Sequence, residues 1–432
     1  MADLSTFTAD GAAALGGPAW LQASRAAAFE RFASASLPTE AEEVWRYSRI
    51  ADLDLDHYQP ASQTDGTAGT WAQGDGPEIP AAVKPILDAI GGRSALIVTG
   101  TGGTGLIGPV ADGVTIALAA DEGEQVAPGQ VSGEPDAFVM LNAAFVDRPL
   151  SVGVARGKVV VDPIVVVHWV DGEGAASFPR TVVTLAEGAE ALVVEILASG
   201  DVAALVVPVT ELDVAQGARL RHVTVQVLGP RVWQVGLQAS RVGRDADCLS
   251  HTVAFGGDYA RVRTDSTLVG PGGTSTLRAV YFGEGNQMHD FATLQSHLGK
   301  HTTSNLLFKG AVANSSHSVY RGIIQVQKGA SGTNAFQTNR NLVLDDGAHA
   351  DSVPTLEIEE NDVSCSHASA VGPIDEEQRF YLESRAVPPE VADRLIVFGF
   401  LDDALEPVPV PSLLPWLRKT LAAKIAHAEA RR

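Results

Sequence analysis

The chain has 432 residues, 45% hydrophobic and 19% charged, with 43 glycines, so it can bury a large core and is not a disordered polymer. Its 31 Lys and Arg against 52 Asp and Glu give a net charge of −21, a surface that repels phosphate backbones and argues against nucleic acid as a partner. Two cysteines, Cys248 and Cys365, cannot supply a four-thiolate metal site on their own, and a structural disulfide between them is not expected in a reducing compartment.

From Met1 no basic segment leads into an apolar stretch, and no run approaches eighteen apolar residues. That predicts a cytoplasmic chain with no membrane span. Trp20, Leu21, Ala28, Phe29 and Phe32 fall at helical spacing in an Ala-rich stretch, and a second helix-prone segment, Glu42-Glu43-Val44-Trp45-Arg46-Tyr47, follows Pro38. Pro60 to Pro80, rich in Gly, Thr, Ser and Asp, reads as a tether. Residues 1–85 are thus a small helical domain and its linker.

Residues 86–372 carry β texture. Ala95–Thr99, Lys158–Asp162, Ile164–His168, Leu192–Ile196, Leu220–Val227, Trp233–Gln238, Leu277–Tyr281 and Ile323–Gln327 are short apolar or alternating runs interrupted by Gly or Asp. No amphipathic helix pattern separates them, which argues against a doubly wound sheet. A sandwich, a barrel and a β-solenoid stay open, because no tight residue-level repeat is present. From 373 to 432 helical texture returns: Asp375–Arg385, then Glu390–Leu401 after Pro388-Pro389, then an amphipathic stretch from Pro411 to Arg432. Such helices either pack on their own domain or dock a partner.

Gly100-Thr-Gly102-Gly-Thr-Gly105 matches G-x-G-x-x-G, but Gly108-Pro109 would break the helix that a dinucleotide fingerprint must open. A glycine-rich β-turn is the better reading. No G-x-x-x-x-G-K-[ST] occurs, so the chain is not expected to bind ATP through a P-loop. Seven of the eleven histidines, His251, His289, His297, His301, His317, His349 and His367, fall in the second half. Most are expected to be ordinary polar residues on a β surface. Cys365-Ser-His367 is sharper: in a strand the thiol and imidazole project from one face, and both can ligate iron. A buried Cys beside a hydrogen-bonded His is the plain alternative.

A set of ordered motifs supplies context: Thr303-Ser-Asn-Leu-Leu-Phe-Lys-Gly310, Tyr320-Arg-Gly322, Ala335-Phe-Gln-Thr-Asn-Arg-Asn-Leu342, Pro354-Thr-Leu-Glu-Ile358, Asp362-Val-Ser-Cys-Ser-His367 and Phe380-Tyr-Leu-Glu-Ser-Arg385. Through them, residues from about 287 to 385 resemble the C-terminal half of the SufB/SufD family of iron–sulfur cluster assembly scaffolds. The N-terminal Glu-Glu-Val-Trp-Arg-Tyr-Ser stretch is similar to the SufD branch. Only two cysteines, and Asn341-Leu-Val-Leu-Asp-Asp-Gly-Ala348 where SufB-like chains carry a cysteine, point the same way. A departure is Ala368-Ser369-Ala370 in place of the branch's usual Gly-Ala-Thr.

The resemblance implies a mainly β chain with helical ends, a right-handed parallel β-helix flanked by N- and C-terminal α-helical domains. It implies a non-catalytic subunit that docks the SufC-type ATPase through its C-terminal helices and pairs with a SufB-type paralogue at the end of the β-helix. His367 becomes the interfacial ligand and Cys365 a weaker one. Phe380, Tyr381, Arg385, Leu395, Phe398 and Phe400 become the docking residues. No intrinsic cofactor is implied. An iron–sulfur cluster would be held transiently at the paralogue seam, and flavin in the assembly and a homodimer of the isolated chain are left open. The alternatives are a SufB-type paralogue and a β-helix carbohydrate-active enzyme, for which Asp345, Asp346 and Asp362 could offer paired carboxylates.

Overall fold

The computed structural model describes residues 6–61, 79–100, 103–118, 131, 133 and 135–431. Seven α-helices occur in them: α1 (Ala9–Ala14), α2 (Ala19–Ser34), α3 (Lys84–Ile90), α4 (Ala137–Phe145), α5 (Glu376–Glu383), α6 (Pro389–Leu405) and α7 (Leu414–Glu429). The rest is dominated by a parallel β-solenoid of about eight turns, with helices at both ends of the chain. Most of the tether expected between Pro60 and Pro80 lies outside the described residues.

From Val209 onward successive strands alternate between two sheets, so each strand pairs in parallel with the strand two further on rather than with the next. In the first sheet Trp233 pairs with Tyr259, Tyr259 with Met288, Met288 with His317 and His317 with His349, spacings of 26, 29, 29 and 32 residues. The repeat is a turn of the coil with corners of variable length. That variation is why the sequence shows no tight period.

In-register stacking gives each strand one face toward the solenoid interior and one face outward. In the second sheet Leu277, Ala279 and Tyr281 line the interior, while Val280 and Phe282 face outward into a core shared with Val397, Leu401, Leu405, Leu417 and Leu421. The outer face of that sheet is therefore covered by α6 and α7. On the first sheet the N-terminal segment and α4 do the same: Phe7, Phe32, Trp45, Leu55, Phe138 and Phe145 cover Trp233, Val235, Tyr259, Met288 and Val319. Arg261 pins that cover, with its guanidinium 3.8 Å from the Trp45 ring, ion-paired to Asp290 and donating to the Val44 carbonyl at 2.7 Å. Where both faces are buried, as in Ile164–Val170, the strand reads as a near-continuous apolar run.

Two differences from the sequence reading have physical causes. Lys158–Asp162 is not a strand: Val159 makes a single bridge to Glu190, and Val159 and Val161 are exposed at a corner just before Pro163. Conversely, strands such as Met288–His297, Thr333–Val343, His349–Ile358 and Val363–Gly372 carry little apolar alternation. Their interior faces are polar. His289, Gln295, His297, Ser304, Ser318, Gln337, Asn339 and Asn341 are fully or almost fully buried. They satisfy one another in part: Gln295 Nε2 donates to Ser304 Oγ at 2.6 Å, Asn341 Nδ2 donates to Asn339 Oδ1 at 2.8 Å, and Tyr281 Oη donates to Asn341 Oδ1 at 2.7 Å.

The two ends of the coil differ. At the start, Gly103–Ile107 pairs antiparallel with Ala95–Gly100, and Val114–Leu118 pairs antiparallel with Leu150–Val154, so each sheet is closed by a reversed strand. The hairpin at Gly100 and Gly103 answers the G-x-G-x-x-G question: a strand follows the glycines, not a helix, although residues 101–102 lie outside the described ones. At the far end, His349–Ile358 and Val363–Gly372 are terminal in their sheets, with no strand beyond them among the described residues. Edges of this kind are templates for strand pairing unless covered.

Candidate functional site

The open end brings the sharpest sequence motif into view. Ala335 pairs with Cys365 and Gln337 with His367. Ala335, Gln337, Asn339 and Asn341 are buried in the interior while Asn334, Phe336 and Arg340 are exposed, so Cys365, His367, Ser369 and Val371 continue the inward face. No described residue forms a further turn above them. Thiol and imidazole thus share one face, as the i, i+2 spacing predicts.

Their settings differ. Cys365 is half-buried against the apolar corner of Ile324, Val326, Ala330, Ala335 and Leu356. Burial pushes its thiol pKa up, offset in part by a backbone hydrogen bond from Ala335. As it stands the group is a protonated thiol at neutral pH and a poor ligand. His367 is exposed at the mouth of the coil. Beneath it in register lies Gln337, 1% exposed, with neither side-chain amide atom hydrogen-bonded to a described residue. Ser369 Oγ donates to Ser352 Oγ at 2.7 Å and bridges the two sheets across the opening.

Three residues after Gly372 the chain enters α5, whose N-cap Asp375 accepts from the amides of Glu377 and Gln378. Arg379 forks onto Asp393 at 2.6 and 2.7 Å and fixes α5 against α6. On the surface of this pair Phe380 is 71% exposed, Tyr381 56% and Leu395 52%. Arg385 lies with its guanidinium 4.6 Å from the Tyr381 ring. Phe398 and Phe400 sit differently: both are half-buried against the core under α6, and Lys309 reaches the Phe400 ring at 4.8 Å while pairing with Asp403. Of the six expected docking residues, Phe380, Tyr381, Arg385 and Leu395 are therefore exposed, and Phe398 and Phe400 belong mainly to the internal packing.

The remaining histidines divide. His251, His289 and His297 are fully buried, against the expectation of surface residues. His301 occupies a left-handed turn, with φ of 55°. His317 and His349 sit side by side on the outer face of the first sheet. Of the proposed carboxylate pair, Asp345 accepts from the Asn314 amide at 2.6 Å and so holds a turn together.

Sequence reading missed an interior cluster. Glu195 receives His168 Nε2 at 3.2 Å, His222 Nε2 at 2.9 Å and Thr210 Oγ1 at 2.8 Å, and all four residues are buried. Burial opposes its charge, but the two imidazoles hold its carboxyl pKa well below the ordinary value. The adjoining cavity, lined by Gln226, Gln234, Gln238 and Thr252, measures about 30 Å³, the scale of ordered water rather than of a metabolite. His168 and His222 sit in separate strands of ordinary appearance, so no local spacing could have announced them.

Residues 168–400 match a family model described as SUF system FeS cluster assembly, SufBD core domain. The chain is 36% identical over 299 residues to an iron–sulfur cluster assembly SufBD family protein of Mycobacterium tuberculosis, spanning 67% of this chain and 72% of that protein. It is 27% identical to iron–sulfur cluster assembly protein SufD of Escherichia coli over 375 residues, 86% of this chain and 85% of the relative. SufD of Bacillus subtilis is 35% identical over 160 residues, 37% of each chain.

Proposed function

The chain belongs to the SufB/SufD family of iron–sulfur cluster assembly proteins and is most like SufD, and from that premise we propose that it is the SufD-type scaffold subunit of a three-protein complex. In this reading it catalyses nothing alone. It offers His367 to a cluster built at a seam with a SufB-type paralogue, and it docks a SufC-type ATPase on α5 and α6. The observation that carries the reading is the uncovered final turn: interior-facing Cys365, His367 and Val371 stand at an open strand edge that one more β-helix could close.

The connection between the two surfaces is short. The strand that carries His367 runs directly into α5 through three residues, and α6 is anchored on the second sheet by Lys309, whose ammonium also donates to the Phe400 carbonyl at 3.3 Å. Closure of two ATPase subunits on nucleotide would pull on α5 and α6 and so load the edge strand at the seam. His367, as neutral imidazole, would then complete a site begun by thiolate from the paralogue. The cluster is cargo, passed on rather than kept.

Affinity purification of the chain from its native cell, with the co-eluting proteins identified, tests the assembly. A P-loop ATPase and a cysteine-richer paralogue are expected. Recovery of the chain as a homodimer only, under conditions that preserve the complex of other family members, would overturn it.

A further inference from the structure

We propose that His317, His349 and Asp351 form a binding site for a single divalent first-row transition ion, ferrous iron or zinc, on the outer face of the last turn. His317 and His349 are direct partners across two parallel strands, and Asp351 follows His349 by two residues, so all three side chains rise from one face. Their ligand atoms all lie within 4.8 Å of one another. Asp351 Oδ2 stands 2.8 Å from His317 Nε2 and Asp351 Oδ1 stands 3.4 Å from His349 Nε2, with the imidazole centroids 5.1 Å apart.

These separations suit a metal. Ligand atoms ~2.1 Å from a tetrahedral ion stand ~3.4 Å from each other, so a small rotation of the imidazoles admits the ion between them. Two imidazoles with one carboxylate favour iron, zinc and their neighbours over magnesium or calcium, which prefer all-oxygen shells. Three protein ligands leave positions free for water or an exchanging ligand. The strands fix the ligands before the ion arrives, because register and pleat set the spacing and direction of all three side chains. His317 and Asp351 are partly buried and His349 is exposed, so an ion can enter from solvent and still lose part of its hydration shell. The site is separate from the mouth of the coil: His367 points inward from the other sheet, and these three point outward.

Anaerobic titration of the metal-free full chain with Co²⁺, followed by its visible d–d bands, and with Zn²⁺ by calorimetry, tests the assignment. One equivalent of each is expected to bind, with bands of a nitrogen- and oxygen-ligated ion and no thiolate charge-transfer band. His349→Ala alters an exposed side chain and should leave the fold intact by circular dichroism, yet weaken Co²⁺ by at least about tenfold, a scale that even outer-shell partners of metal ligands reach. Asp351→Asn should act likewise, and His367→Ala should bind as wild type. Absence of binding, or binding that His367→Ala removes and His349→Ala does not, overturns the proposal.

Discussion

If α5 and α6 dock an ATPase as proposed, replacing Leu395 with aspartate is expected to abolish that binding while the chain stays folded. Leu395 is half-exposed on α6 and Phe380 more exposed still on α5. Large apolar side chains left this exposed are candidates for contact with a partner. A carboxylate buried there without a counter-ion costs about 3 kcal/mol or more, and loss of an apolar anchor adds to it, so affinity should fall over a hundredfold. Phe380→Asp should give the same result by pull-down and calorimetry. Phe398→Asp is a different experiment: its ring packs against the core under α6, so that variant is expected to lose thermal stability as well. Unchanged affinity for both Leu395→Asp and Phe380→Asp would place the ATPase elsewhere.

Between pH 7 and pH 5.5 the chain is expected to lose about 4 kcal/mol of unfolding free energy, about 1.3 from each of three buried histidines. Burial is the main cause in every case. It pushes His251 down to about 3, with Arg278 adding to the effect and the Ala404 backbone opposing it. It pushes His289 down to about 3, with Lys424 adding and the Gly256 backbone opposing, and His297 to about 4. Below the unfolded pKa near 6.5 the unfolded chain takes up protons that the folded chain refuses, so stability is complete well above that value and drains as pH falls toward the folded values of about 3 to 4. Relief of self-repulsion in a chain of charge −21 works the other way, through surface charges that salt already screens. Urea midpoints across this range, for wild type and His289→Gln, measure the slope. The variant should be the flatter, and a wild-type midpoint constant from pH 7 to 5.5 would contradict the assignment of these rings as buried and neutral.

Those histidines also mark where sequence reading reached its limit. Helical ends and a β-rich middle were legible because Trp20 to Phe32 and Leu413 to Ile425 keep helical spacing, and because Ile164–His168 and Leu220–Val227 are bounded by turn residues. The solenoid was not legible from periodicity. Its corners vary in length, and its later turns bury His, Gln, Asn and Ser where a strand template expects Val and Ile. The motif resemblance over about 287–385 supplied the architecture that the pattern left open. Within the site, the shared face of Cys365 and His367 followed from two-residue spacing alone. The contrast between a half-buried thiol and an exposed imidazole, the half-buried state of Phe398 and Phe400, and the Glu195 cluster all depend on contacts between residues distant in sequence. So does the His317, His349 and Asp351 group: the two histidines carry no signal singly, Asp351 none at all, and His317 meets the other two only because one turn of the coil spans 32 residues there.

The central claim is that His367 at the open end of the coil serves a cluster shared with a partner. It is tested most directly by anaerobic cluster assembly on the purified three-protein complex, with iron and sulfide counted per complex for wild type and His367→Ala. The variant complex should form with unchanged subunit composition and assemble clusters at least about tenfold more slowly, the scale on which metal-site partners act. Equal rates and equal iron in an intact variant complex would contradict it.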